Sequence, residues 1–212
     1  MMARKKSRLV IIAVMALVIV VSASVGVTMS ILVTNTSGKS KVFTFGNAGI
    51  NVVEENWNRL SDDDKIVYPG RTVPKDPKIT NTGSTELYAY LKVKIPSANI
   101  RVVNNDETVA DASKHNLFSF ETNSDWTLLD TDDSNDDYEV RLYAYTKGAL
   151  APGSSTNTLF DEVTFVNMLE GEIDMGTKLE IITSGYAIQS DLAGGAEMTA
   201  EKYKELFDQC TA

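Results

Sequence analysis

Leu87-Tyr88-Ala89-Tyr90-Leu91-Lys92-Val93-Lys94-Ile95 alternates strictly between two kinds of residue. Leu87, Ala89, Leu91, Val93 and Ile95 turn one way, and Tyr88, Tyr90, Lys92 and Lys94 turn the other. Successive side chains of a strand point to opposite faces of its sheet, so a period of two marks a half-buried strand. Asn81-Thr82-Gly83 upstream supplies residues that tolerate positive φ, and Pro96 is expected to end the strand. Tyr138 to Tyr145 repeats the pattern, with Tyr138, Val140, Leu142 and Ala144 on one face.

The same reading extends in both directions. Further candidate strands lie at 42–45, 49–54, 65–68, 78–81, 118–121, 126–129, 159–165 and 178–189, separated by turns rich in Gly, Pro, Asn and Asp. About ten short strands at such spacing predict an all-β fold, a sandwich or barrel. One helix is expected, at the C-terminus. Thr199 can cap it, Glu201 lies in its first turn, and Tyr203, Leu206, Phe207 and Cys210 share a face that packs on the strands.

The N-terminus has a different character. Arg4-Lys5-Lys6-Ser7-Arg8 precedes an apolar run at residues 9–33, and no acid occurs before Glu54. A basic cluster followed by an apolar core is the pattern of an export signal. The run exceeds the roughly 18–20 residues that span a bilayer as a helix. Ser22 and Ser24 fit a small-residue cleavage site. Both a cleaved signal peptide and a retained anchor remain open for residues 1–38, which end in a polar leader. Residues 39–212 form the exported domain, and only residues 9–33 are expected to meet a membrane.

Charge limits the partners. The chain has 20 Lys and Arg against 29 Asp and Glu, a formal −9. Four of the basic residues lie at positions 4–8, so the remainder carries 16 against 29, a formal −13. Such a surface repels nucleic acid and anionic lipid, which bind through clustered Lys and Arg. It favours solubility, divalent cations or basic partners. Cys210 is the one cysteine, so no intrachain disulfide holds the domain and its core must do so.

A catalytic constellation is hard to assemble from these residues. His115 is the one histidine, set in the polar stretch Asp111-Ala112-Ser113-Lys114-His115-Asn116, and reads as a loop residue. A zinc site of the H-E-x-x-H kind needs two histidines and a glutamate on one helix. Gly194-Gly195 is an isolated pair rather than a phosphate loop. The acidic loop Asp130-Thr131-Asp132-Asp133-Ser134-Asn135-Asp136-Asp137 is the clearest candidate site. Oxygen ligands at Asp130, Asp132, Ser134 and Asp136 resemble the start of a calcium loop, although Asn135 and Arg141 replace its Gly and Glu. A solvated acidic turn is the other reading of this segment. Tyr88, Tyr90, Tyr143 and Tyr145 either line a binding face or pack across strands.

Several segments, in order, resemble the TasA/camelysin family of exported bacterial proteins. They are the basic-apolar leader; Phe43-Thr44-Phe45-Gly46-Asn47-Ala48-Gly49-Ile50; Tyr68-Pro69-Gly70-Arg71-Thr72-Val73; Ile79-Thr80-Asn81-Thr82-Gly83-Ser84; Ala89-Tyr90-Leu91-Lys92-Val93; Leu150-Ala151-Pro152-Gly153 with Leu159-Phe160-Asp161-Glu162-Val163; and Gly185-Tyr186-Ala187-Ile188-Gln189. The resemblance implies a jelly-roll-like antiparallel β-sandwich at the cell surface or in the biofilm matrix, exported through a dedicated signal peptidase. It implies fibres in which the N-terminal strand of one subunit completes the sheet of the next. Here that donor strand would fall near residues 41–53 and present Val42, Phe43, Phe45, Ile50 and Val52. The expected function is thus structural and self-assembling, with other matrix or surface proteins as further partners. No catalytic residue and no cofactor beyond possible calcium are expected. The alternatives are a metal-dependent endopeptidase built on His115, as camelysin members have been labelled, and a monomeric adhesin binding through its tyrosines.

Overall fold

The computed structural model describes residues 49–104, 106–174 and 176–211. Within them the strands are β1 Ile50–Glu54, β2 Thr72–Pro74, β3 Pro77–Asn81, β4 Leu87–Ile100, β5 Ser113–Asn116, β6 Phe118–Ser119, β7 Trp126–Asn135, β8 Tyr138–Tyr145, β9 Glu162–Phe165 and β10 Ile182–Gln189. The α-helices are α1 Glu55–Arg59 and α2 Ala200–Thr211. Every named ladder is antiparallel. β10-β4-β8-β7 form the main sheet, with β5 paired to the far end of β4; β2-β9-β6 form a second sheet; β1 pairs with β3.

The alternation in β4 decides the core, as its pattern predicts. Leu87, Ala89, Leu91, Val93 and Ile95 are all fully buried. They meet Ile50 and Ile79 from the β1–β3 pair, and Val73, Phe118, Val163 and Phe165 from the three-stranded sheet, in one apolar cluster. Two layers of antiparallel strands around one core make a β-sandwich.

The opposite face of β4 is not the solvent face that alternation alone suggests. α2 covers it. Tyr203, Leu206 and Phe207 pack on Tyr90, Leu142, Ala144, Tyr186 and Ile188. The Tyr90 ring is wholly buried, and its hydroxyl donates to the Tyr203 carbonyl at 3.2 Å. Phe207 lies 5.2 Å from the Tyr90 ring and 5.3 Å from the Tyr186 ring. The helix begins where expected: the Lys202 N–H reaches the Thr199 hydroxyl at 3.3 Å. Burying each of these large side chains contributes about 1.5–3 kcal/mol.

Other expectations need correction. Residues 65–68 are not a strand. Asp63–Lys65 form a 3-10 turn, and the Arg71 guanidinium takes the carbonyls of Asp64 and Ile66 that a strand would give to a neighbour. Pro96 does not end β4, which continues to Ile100. Its carbonyl accepts the Leu117 N–H at 2.8 Å while β4 changes partner from β8 to β5. The strands expected at 159–165 and 178–189 are confined to β9 and β10. The strand expected at 126–129 runs on to Asn135.

α1 has a cap that comes from a distant position. The Asp76 carboxylate, itself buried, accepts the N–H groups of Asn56 at 2.9 Å and Trp57 at 3.3 Å. Among the described residues no helix is long and apolar enough to cross a membrane. The apolar run at 9–33, Ser22, Ser24 and the strand expected at 42–45 lie outside the described residues.

Candidate functional site

β1 is the first strand among the described residues and occupies a shaped seat. It pairs with β3 from Ile50 opposite Asn81 to Glu54 opposite Pro77. Ile50 and Val52 point into the core cluster. Beneath them is Gly185 of β10, where an added Cβ would lie 2.6 Å from Val52 Cγ2 and 3.0 Å from Ile50 Cδ1. Only a residue without a side chain lets β1 approach this closely.

β3 has partners on both edges, whereas β1 has one. On the far side of β3, the Thr156 N–H donates to the Ile79 carbonyl and the Gly153 N–H to the Asn81 carbonyl. The Ile79 N–H returns to the Thr156 hydroxyl at 3.0 Å. The Asn81 amide bonds the carbonyls of Thr85 and Leu150 and accepts the Gly83 N–H, fixing the turn beyond. The outer edge of β1 has no ladder partner among the described residues. Its sequence, Ile50-Asn51-Val52-Val53-Glu54, carries no charge until its last residue. The β7 edge of the main sheet differs, since Asp130, Asp132 and Asp133 stud it, and charge on an edge resists pairing with another chain.

A small polar cluster secures the end of β1. Lys75 Nζ lies 2.8 Å from Glu54 Oε2, and the Thr183 hydroxyl donates to Glu54 Oε1 at 2.7 Å. The two charged side chains are 7% and 16% exposed, and Lys75 also lies over the Trp57 ring at 5.0 Å. Nothing in the sequence singles out these residues, because Glu54 and Thr183 are 129 positions apart. A second such anchor is Asp125, which accepts Lys147 Nζ at 3.0 Å and the Asn157 amide. The Lys147 ammonium, with Asn157, holds its carboxyl below the usual range.

Of the expected donor-strand residues, Ile50 and Val52 lie in β1, inside the chain's own sandwich. Val42, Phe43 and Phe45 lie outside the described residues. The acidic loop is a strand end and a hairpin: β7 reaches Asn135, and Asp136-Asp137 make the turn into β8. Asp130 faces Lys204 of α2 at 3.4 Å. Asp132 accepts the Ser134 N–H at 3.0 Å, and Lys114 pairs with Asp133. Asp136 and Ser134 are exposed. Among the described residues no three His, Cys, Asp or Glu side chains are grouped as metal ligands would be.

His115 is not in a loop. It lies on β5 opposite Ala98, with its Nε2 2.9 Å from the Ser113 hydroxyl. The four tyrosines do not form one face. Tyr90 and Tyr88 turn towards α2, while Tyr143 and Tyr145 turn into the opposite core. Cys210 is half-buried on the docked face of α2, and burial pushes its thiol pKa up.

No family model, no curated protein and no solved structure matches the chain. The reading of the site therefore stands on its own residues.

Proposed function

We propose that the chain is an exported surface or biofilm-matrix protein, structural rather than catalytic, that joins copies of itself by exchanging its N-terminal strand. β1 carries this reading. It is short, it lies at an edge, and its seat over Gly185 fits one strand. A strand that fills its own subunit's seat makes the same contacts in a neighbour's, as in domain swapping. Main-chain hydrogen bonds then supply affinity, and pockets for alternate side chains, here Ile50 and Val52, supply register. The basic-apolar leader supports export, and the resemblance to the TasA/camelysin family supports a surface or matrix location. A signal peptidase is the expected processing partner.

The natural protein provides the test. Intact mass spectrometry of the extracellular fraction is expected to find a chain starting beyond Ser24, and electron microscopy to find fibres containing it. Chains that retain Met1 inside the cell, or that stay monomeric at every concentration, would contradict the proposal.

A further inference from the structure

An open cleft of about 560 Å³ lies beside β1. Its apolar wall includes Val52, Trp57, Phe118 and Ile181, drawn from β1, α1, β6 and the approach to β10. Pockets of roughly 300–1,000 Å³ with apolar walls and a few polar groups are the usual form of small-molecule sites. The charges on this cleft oppose those of the molecule. Three lysines, Lys65, Lys75 and Lys178, line it against two glutamates, Glu54 and Glu180, in a chain of formal charge −9.

Both glutamates are already engaged. Glu54 holds Lys75 on one oxygen and Thr183 on the other. Lys65 lies over the Trp57 ring at 5.4 Å. Among the described residues neither Lys65 nor Lys178 has a carboxylate partner. Two ammonium groups thus flank an aromatic and aliphatic wall. We infer that the cleft binds a small molecule with an apolar body and a single anionic group, the body against Trp57 and the anion between Lys65 and Lys178. Val52 and Glu54 of β1 complete the cleft, whichever subunit supplies that strand.

Three ligands with one body separate charge from apolar contact: 4-phenylbutyrate, 4-phenylbutan-1-ol and 4-phenylbutylamine. Their binding is measured by ligand-observed NMR on the full chain in phosphatidylcholine nanodiscs, with empty nanodiscs as the baseline. The acid is expected to bind tightest and the amine weakest, the two differing by about tenfold. Lys65→Gln with Lys178→Gln should bring the acid to the level of the alcohol and leave the alcohol unchanged. Glu180→Gln, a change at an exposed position, should strengthen binding of the acid. An amine that binds as well as the acid, an acid indifferent to both sets of substitutions, or no saturable binding of the acid would overturn the inference.

Discussion

Single residues decide how tightly the sandwich closes. Gly185 is the clearest, because β1 rests on the space its missing side chain leaves. Gly185→Ala is expected to destabilise the domain by about 1–3 kcal/mol, the usual cost of overpacking a closed core. Chemical denaturation checks this, and an unchanged midpoint would show that β1 is not seated there. The sequence does not reveal this role, since a glycine in a strand has the same letter whether it faces a neighbour or water. Asp125 gives a pH signature. Its carboxyl is held low in the fold, by Lys147 first and Asn157 second. A depressed carboxyl adds stability above its unfolded pKa of about 3.9 and loses it as pH falls through the lower folded value. Asp125→Asn should therefore be less stable than the parent at neutral pH and converge with it in acid, at a pH below the depressed folded value. Urea denaturation at both pH values measures the gap, and a gap that persists in acid would contradict the assignment.

Elements were legible where their signals are local. α2 could be read from Thr199 and the spacing of Tyr203, Leu206 and Phe207, and β4 and β8 from strict alternation. β2 and β5 could not, because short polar strands such as Ser113-Lys114-His115-Asn116 are strands only by virtue of their partners. α1 was hidden because its cap is Asp76, on a different part of the chain. The segment 65–68 misled because Arg71 takes its carbonyls. Docking of α2 has its own test. Burial, helped by the neighbouring Tyr88, pushes the Tyr203 phenol up to about 12. A phenol raised on folding contributes stability that is complete below its unfolded pKa of about 10 and is lost as pH rises through the folded value. α2 should therefore undock as pH climbs from about 10 towards 12, with loss of the near-ultraviolet aromatic signal. A signal flat across that window would mean that Tyr203 is not buried against the sheet.

At the scale of the molecule, the sandwich followed from the alternation of β4, but its functional surface did not. The β1 seat joins residues 50–54, 77–81 and 185, and the Glu54 cluster joins 54, 75 and 183. Such groupings depend on the path of the chain and not on spacing. The acidic stretch at 130–137 drew attention through its alternating oxygen ligands, and the fold uses it as a charged edge and a hairpin turn. The central claim is that β1 can leave its own subunit for another. Val53 and Lys78 are paired across β1 and β3. Facing Cα atoms in antiparallel strands lie about 4.5–5.5 Å apart, within reach of a disulfide. The deciding measurement uses Val53→Cys with Lys78→Cys, in a Cys210→Ser background, and follows covalent state on non-reducing gels. Oxidised as monomers, the chains should be locked and fail to assemble. Oxidised after assembly, they should form ladders of subunits linked to one another. Locked monomers that assemble as well as reduced ones, or assemblies that yield only intrachain bonds, would contradict strand exchange.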